Sequence, residues 1–227
     1  MRRWLRIASV VVMIVCAVQL IQYVWGYLQV NKELEDAQKT VQESDLISLQ
    51  QHNDEIIGWL FLENSRLNNP VLQANNNNFY LTHNYLREKS RGGSIFVDYR
   101  NKIMDDRHTI FYGHVLRNGT MFGELAKFAD QQYANEHPVF YFETNDRKYQ
   151  LEVFAAYETT TDFYYIETEF TDETYEQFLQ EIQFRSVIHM PVNVTTKDKI
   201  VTFSTCTTTQ DETERFVVHA KVIEQIK

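Results

Sequence analysis

Cysteine is nearly missing from this 227-residue chain: it has two, Cys16 and Cys206. Cys16 lies inside an apolar N-terminal run, so Cys206 is left without a partner for an intrachain disulfide, and a disulfide-stapled scaffold is excluded. Proline (3) and glycine (7) are also scarce, which argues against a low-complexity stalk. Basic residues are in the minority, 22 Lys and Arg against 31 Asp and Glu, for a net charge of -9. No basic stripe exists, so nucleic acid is not an expected partner. The long apolar stretch is 7–28, which carries no charge.

That stretch is rich in Val, Ile, Leu and Ala, with Trp4, Tyr23, Trp25 and Tyr27 toward its ends. About 20 apolar residues suffice to cross a bilayer core as a helix, and aromatic residues gather at its interfaces. Arg2, Arg3 and Arg6 precede it, which places the N-terminus in the cytoplasm and the rest of the chain outside. The alternative is a cleaved signal peptide. Against it, the residues after Cys16 hold no small-x-small site. The chain therefore divides into a cytoplasmic tip and signal anchor (1–29), a helical extension (30–55) and one domain (56–227), a size that supports a sizeable core. Outside the cell a lone thiol is exposed to oxidation, which marks Cys206 as a reactive group.

In the extension, Leu34, Ala37, Val41, Leu46 and Leu49 are spaced to pack one helix face against the domain. Beyond it the pattern is mostly strands. Residues 56–62 are a strand-like apolar run, 68–70 (Asn-Asn-Pro) interrupt it, and 71–73 resume. Residues 75–78, four asparagines, read as a turn. Short segments rich in β-branched and aromatic residues follow at 94–98, 109–112, 139–142, 149–156, 199–203 and 215–223. Two helical patches intervene. One is at 121–128; the other, at 171–182, has Thr171 as N-cap and acids in its first turn. Many short strands with few helices predict a mainly β barrel or sandwich.

A cysteine nucleophile needs a proton donor or acceptor, a means to favour the thiolate, and donors for the developing oxyanion. Of the seven histidines, His114 directly follows a predicted strand and a glycine, in Ile110-Phe-Tyr-Gly-His114. His219 sits inside the last strand, and His52, His83, His108, His137 and His189 lie in polar or turn contexts. Arg215 opens the final strand. If Cys206 ends the strand before it, both lie on one rim, where a guanidinium favours the thiolate and binds an oxyanion. The plainer reading of Arg215 is an ion pair with Glu212 or Glu214.

Thr202-Phe-Ser-Thr-Cys206 resembles the Thr-Leu-x-Thr-Cys signature of sortases, membrane-anchored cysteine transpeptidases of Gram-positive bacteria. The order His114, Cys206, Arg215 matches the family's catalytic order. Tyr112-Gly-His114 with the following Gly119-Thr-Met-Phe-Gly123, and Gly93-Ser-Ile-Phe-Val-Asp98-Tyr-Arg-Asn101 upstream, are similar to family segments too. The likeness runs from about residue 56 to the C-terminus. Phe203 departs from the usual leucine as a core-facing apolar exchange. Ser204 before Thr205, the N-terminal extension and the late helix make the chain most similar to class B. Glu167, Glu169, Asp172 and Glu173 could mimic the calcium-binding loop of class A members, but they read better as first-turn helix acids on a solvated face.

The resemblance implies an eight-stranded sortase β-barrel with peripheral helices, catalysis by His114, Cys206 and Arg215, and no metal or cofactor. It also implies surface-protein substrates with an Asn-Pro-x-Thr-Asn-like sorting signal, cleaved after threonine through a thioester. The acceptor is implied to be an amine of a lipid-linked peptidoglycan precursor, or alternatively a pilin lysine. Ser204 and Thr205 are candidate peptide contacts, or simply barrel-wall residues; Asn84 is a further candidate contact. Papain-like proteases order cysteine before histidine. Chymotrypsin-like cysteine proteases need a Gly-rich nucleophile turn, and L,D-transpeptidases a Ser-x-Gly-Cys-x-Arg segment; both are missing here. The remaining rival is a non-catalytic, membrane-anchored binding module.

Overall fold

The computed structural model describes residues 2–43, 45–160, 163–206 and 214–226. Cys206 is described through its backbone only. The chain opens with helix α1 (Arg2–Glu43), which runs 42 residues without a break, roughly 60 Å. Its first part is exposed apolar surface, and it is long and apolar enough to cross a membrane. Its second part lies on the domain: Val30, Leu34 and Ala37 are buried, as the helical spacing of apolar positions requires. A short α2 (Leu46–Gln50), capped by the Asp45 side chain on the Ser48 amide, buries Leu46 and Leu49. Gly92 allows the close approach where α1 meets the barrel: a Cβ there would lie 2.9 Å from Val30 Cγ1, and one of the two would have to shift.

Eight strands follow: β1 (Ile56–Leu62), β2 (Asn68–Leu72), β3 (Ile95–Val97), β4 (His108–Tyr112), β5 (Val139–Glu143), β6 (Arg147–Thr159), β7 (Ile200–Cys206) and β8 (Arg215–Ile226). They close into a barrel in the order β1-β2-β3-β4-β7-β8-β6-β5. The β2/β3 and β4/β7 pairs are parallel and the others antiparallel. The interior is largely aromatic. Phe203, wholly buried, packs on Phe140, Phe111 and Phe122 with ring centroids 4.4, 5.4 and 5.8 Å away. A phenylalanine in place of leucine at 203 is thus absorbed by an aromatic core.

Two local expectations need correction. Asn68-Asn69-Pro70 does not break the chain; these residues belong to β2 and pair with Phe61, Leu60 and Trp59. Proline is tolerated because β3 pairs with β2 only at Val71 and Leu72, so on that side no ladder bond needs the missing N–H at position 70. Nor is 121–128 one helix. Met121 takes a left-handed backbone (φ 53°), and a 3₁₀ turn covers only Leu125–Ala129. The short α3 (Gln131–Glu136), capped by Asp130, is an element the sequence reading did not single out.

Helix α4 (Asp172–Arg185) starts at Thr171, whose side chain accepts from the Thr174 amide, with Asp172 and Glu173 in its first turn. It buries Tyr175, Phe178, Leu179 and Ile182 against the outside of β6 and β8, each contributing roughly 1.5–3 kcal/mol of apolar burial before entropy losses. No cluster of His, Cys, Asp or Glu suited to a metal ion occurs among the described residues.

Candidate active site

A groove of about 500 Å³ opens at one end of the barrel, where strands β4, β7 and β8 converge. Its lining includes His114, Ser204, Thr205, Arg215, Tyr164 and Asn77. Strand register explains the convergence. Tyr112 pairs with Ser204 across the parallel β4/β7 ladder, and the Gly113 amide donates to the Ser204 carbonyl at 3.3 Å. Cys206 lies two residues past that pair on β7, and His114 two residues past it in the segment that follows β4. Across the other ladder, Cys206 is directly paired with Arg215. Register therefore sets the Cys206 backbone beside Arg215 and one strand over from the chain that leads into His114.

His114 is half-buried and its Nε2 lies 2.7 Å from the Leu81 carbonyl oxygen. A carbonyl can only accept, so Nε2 carries a hydrogen and Nδ1 is the nitrogen at which a proton is gained or lost. The Arg215 Nη1 donates to the Glu214 carbonyl at 2.8 Å. Glu212, the other residue named for an ion pair with Arg215, lies outside the described residues, as does all of 207–213. Ser204 and Thr205 are buried in β7 and reach the groove wall; the Ser204 and Tyr165 hydroxyls share a hydrogen bond of 2.8 Å.

Asn84 is not brought to this groove. It is 2 % exposed, and its Oδ1 accepts from the Leu86 and Glu88 amides, holding a tight turn at 84–88. It lines a different, very small cavity beside Glu33 and Met121.

Sequence reasoning also missed the strut beneath the groove. Asp98 is fully buried and accepts from Arg100 Nε (2.9 Å) and Nη2 (2.8 Å), the Tyr112 hydroxyl (2.9 Å) and Asn77 Nδ2 (3.0 Å). Burial alone would raise its pKa, but the donors from Arg100, Tyr112 and Asn77 hold it below the usual carboxylate range. Arg100 continues to the Tyr164 hydroxyl (3.1 Å) and the Ile166 carbonyl (3.0 Å). Asp98 and Arg100 thus tie together the two walls that carry Asn77 and Tyr164. A carboxylate ending an apolar strand, two residues before an arginine, was the available signal.

His108 was expected in a polar or turn context, yet it opens β4 and is fully buried, as is His219. Their bonds form a wire with one consistent direction. The Glu167 carbonyl must accept, so His108 Nδ1–H donates to it (2.7 Å) and His108 Nε2 accepts from the Thr202 hydroxyl (2.6 Å). Thr202 Oγ1 accepts from His219 Nδ1–H (2.7 Å), and His219 Nε2 accepts from the Tyr157 hydroxyl (2.9 Å). Both rings are neutral. Burial pushes His108 down to about 4, and burial with the neighbouring His108 pushes His219 well below its ordinary value.

The sortase domain model matches residues 60–223. The chain belongs to the sortase family. Sortase B of Listeria monocytogenes is 45 % identical over 182 residues, covering 79 % of this chain and 74 % of that one. Sortase B of Staphylococcus aureus is 38 % identical, covering 98 % of each. The solved S. aureus sortase B–substrate complex superposes with a TM-score of 0.81 at 41 % identity, covering 86 % of this chain and 97 % of that chain. The domain is a class B sortase barrel, and the activity of the family is cysteine transpeptidation. The non-catalytic binding module is thereby set aside.

Proposed function

We propose that this chain, anchored by α1 with its N-terminus in the cytoplasm, cleaves an Asn-Pro-x-Thr-Asn-like sorting signal and joins the threonine carbonyl to an amine of a lipid-linked peptidoglycan precursor. The observation that supports the residue roles is that Cys206 pairs with Arg215, that Ser204 two residues before it pairs with Tyr112 two residues before His114, and that His114 and Arg215 line one groove. The S. aureus relative's complex with substrate supports a peptide occupant for that groove.

The Cys206 thiolate attacks the threonine carbonyl carbon. A C–S bond forms, and the carbonyl electrons move to an oxyanion held by the Arg215 guanidinium and nearby backbone amides. As the oxyanion collapses the C–N bond breaks, and its electron pair takes the proton carried by His114 Nδ1. A thioester remains on Cys206. The acceptor amine then attacks the same carbon, neutral His114 Nδ1 takes its proton, and the C–S bond breaks to restore the thiolate. Ser204 and Thr205 line the peptide's path. Asn84, committed to its own turn, is left out of the substrate contacts.

The test is incubation of the full chain with sorting peptides and either glycine-type or lysine-type amines, read by mass spectrometry. The expected result is a mass gain equal to the acyl fragment on the wild-type chain, followed by transfer to the glycine-type amine. Cys206→Ala is expected to show neither, with the fold kept. Transfer by the alanine variant would refute the assignment; preference for the lysine-type amine would favour pilus assembly.

A further inference from the structure

The barrel grips α1 well below the point where the two first meet. Val30 packs against Gly92. Arg91 then runs back along the helix toward its apolar part, passing Gly26, whose added Cβ would lie 3.5 Å from Arg91 Cδ. Its guanidinium carbon sits 4.4 Å from the Tyr23 ring centroid and 5.3 Å from that of Tyr27. Tyr23 is seven residues before Val30, about 10 Å farther along the axis. Arg117 lies within electrostatic range of the same two phenols. Both loops are pinned to the helix: Ser90 Oγ donates to Glu33 Oε2 (3.1 Å) and Asn118 Nδ2 to Asn31 Oδ1 (2.8 Å). The connection is a fixed joint, not a swinging tether.

Three cations gather at this joint. Lys89, Arg91 and Arg117 are exposed, and none forms an ion pair with a carboxylate among the described residues. Stacking over a tyrosine uses the flat face of the Arg91 guanidinium and leaves its N–H edge outward. No described protein group accepts from that edge. A net charge of -9 would otherwise repel the domain from an anionic surface. We propose that Lys89, Arg91 and Arg117 form a collar that docks on anionic phospholipid headgroups of the membrane α1 enters, seating the barrel directly on that surface. This rests on α1 as the anchor. Arg117 is three residues from His114, so their Cα atoms are within about 11 Å. Docking through the collar keeps the catalytic imidazole close to the plane from which a lipid-borne amine arrives.

The test uses the full chain in nanodiscs of phosphatidylcholine alone or mixed with phosphatidylglycerol, with amide hydrogen exchange followed at 86–93 and 115–119. Exchange is expected to slow by about fivefold or more in the anionic discs, the scale of one basic residue at a charged surface. The slowing should vanish at high salt and in Arg91→Gln/Arg117→Gln, and Lys89→Gln, which does not touch the tyrosines, should lose part of it with an unchanged thermal midpoint. Transfer from a soluble peptide to a soluble amine should be unaffected by these changes. Equal exchange in both discs, or protection that survives the double substitution, overturns the collar. A fall in soluble transfer would place the arginines in the groove and overturn it too. A chain that enters neither disc overturns the anchor reading first and the collar with it.

Discussion

His108 and His114 bracket the same strand, β4, yet they are built for opposite purposes. His108, with His219, has both ring nitrogens committed within a sealed core, in a wire from Tyr157 to the Glu167 carbonyl. His114 commits Nε2 to Leu81 and lines the groove. A histidine can move protons only if one nitrogen is left for the reaction and solvent can stabilise the charged ring. The buried pair meets neither condition, and burial holds both rings neutral. The difference lies in what surrounds each ring, not in the strand that bears it.

The largest effect that separates the two regions is kinetic. His114→Gln is expected to lower kcat/KM by roughly 10²–10⁴-fold, the range for losing a general acid–base, and Arg215→Ala by about 10²-fold or more. Both should leave the thermal midpoint nearly unchanged in a melting experiment. A mild effect of Arg215→Ala would demote it to a structural ion-pairing residue.

Thr202→Val keeps the shape but strips the hydroxyl that joins the two buried rings. His108 Nε2 and His219 Nδ1–H would each lose a partner, costing about 3 kcal/mol in all, read as a shift of the denaturant midpoint. Activity at 25 °C should fall by no more than about threefold. A kinetic loss as large as that of His114→Gln would erase the distinction between the sites.

Acid should attack the same core. In the unfolded chain an imidazole binds its proton near 6.5, whereas folded His108 does so only near 4. Between these values the unfolded state holds more protons, so stability falls as pH drops below 6.5, and the His108 share of that loss is complete near 4. His108 alone accounts for about 3 kcal/mol over that window. Thr202→Val should not abolish this slope, and replacing His108 with glutamine should reduce it, leaving the share carried by buried His219. A flat profile in the wild-type chain would show that the rings are charged or reached by water.

The smallest effect should come from Asp98→Asn, which weakens the strut between the Asn77 and Tyr164 walls. KM for the sorting peptide is expected to rise several-fold, up to roughly tenfold, with kcat within about twofold, because the loss falls on peptide positioning. A kcat loss larger than the change in KM would mean that Asp98 touches the chemistry.

The legible parts of the sequence were those with local, periodic causes. Alternation and aromatic content marked β1 and β3 to β8. Thr171 with its acids announced α4, and Leu34, Ala37, Leu46 and Leu49 marked the face that the extension buries. The motif around Cys206 and the order of His114 and Arg215 pointed to one rim. Pro70 misled because propensity tells of a missing N–H but not of whether a neighbouring strand needs it. Asn84 misled because a polar residue before a turn looks the same whether it faces a ligand or its own backbone.

By itself the amino-acid order determined the anchor-like helix, the all-but-solitary thiol of the domain and the chemical types needed for acyl transfer, since each depends on residues near in sequence or on composition. Only the tertiary structure decided which histidine keeps a nitrogen to spare, that Asp98 braces the groove, and that Arg91 lies against Tyr23. These depend on strand register and on contacts between segments tens of residues apart, where no local pattern records which neighbour a side chain meets.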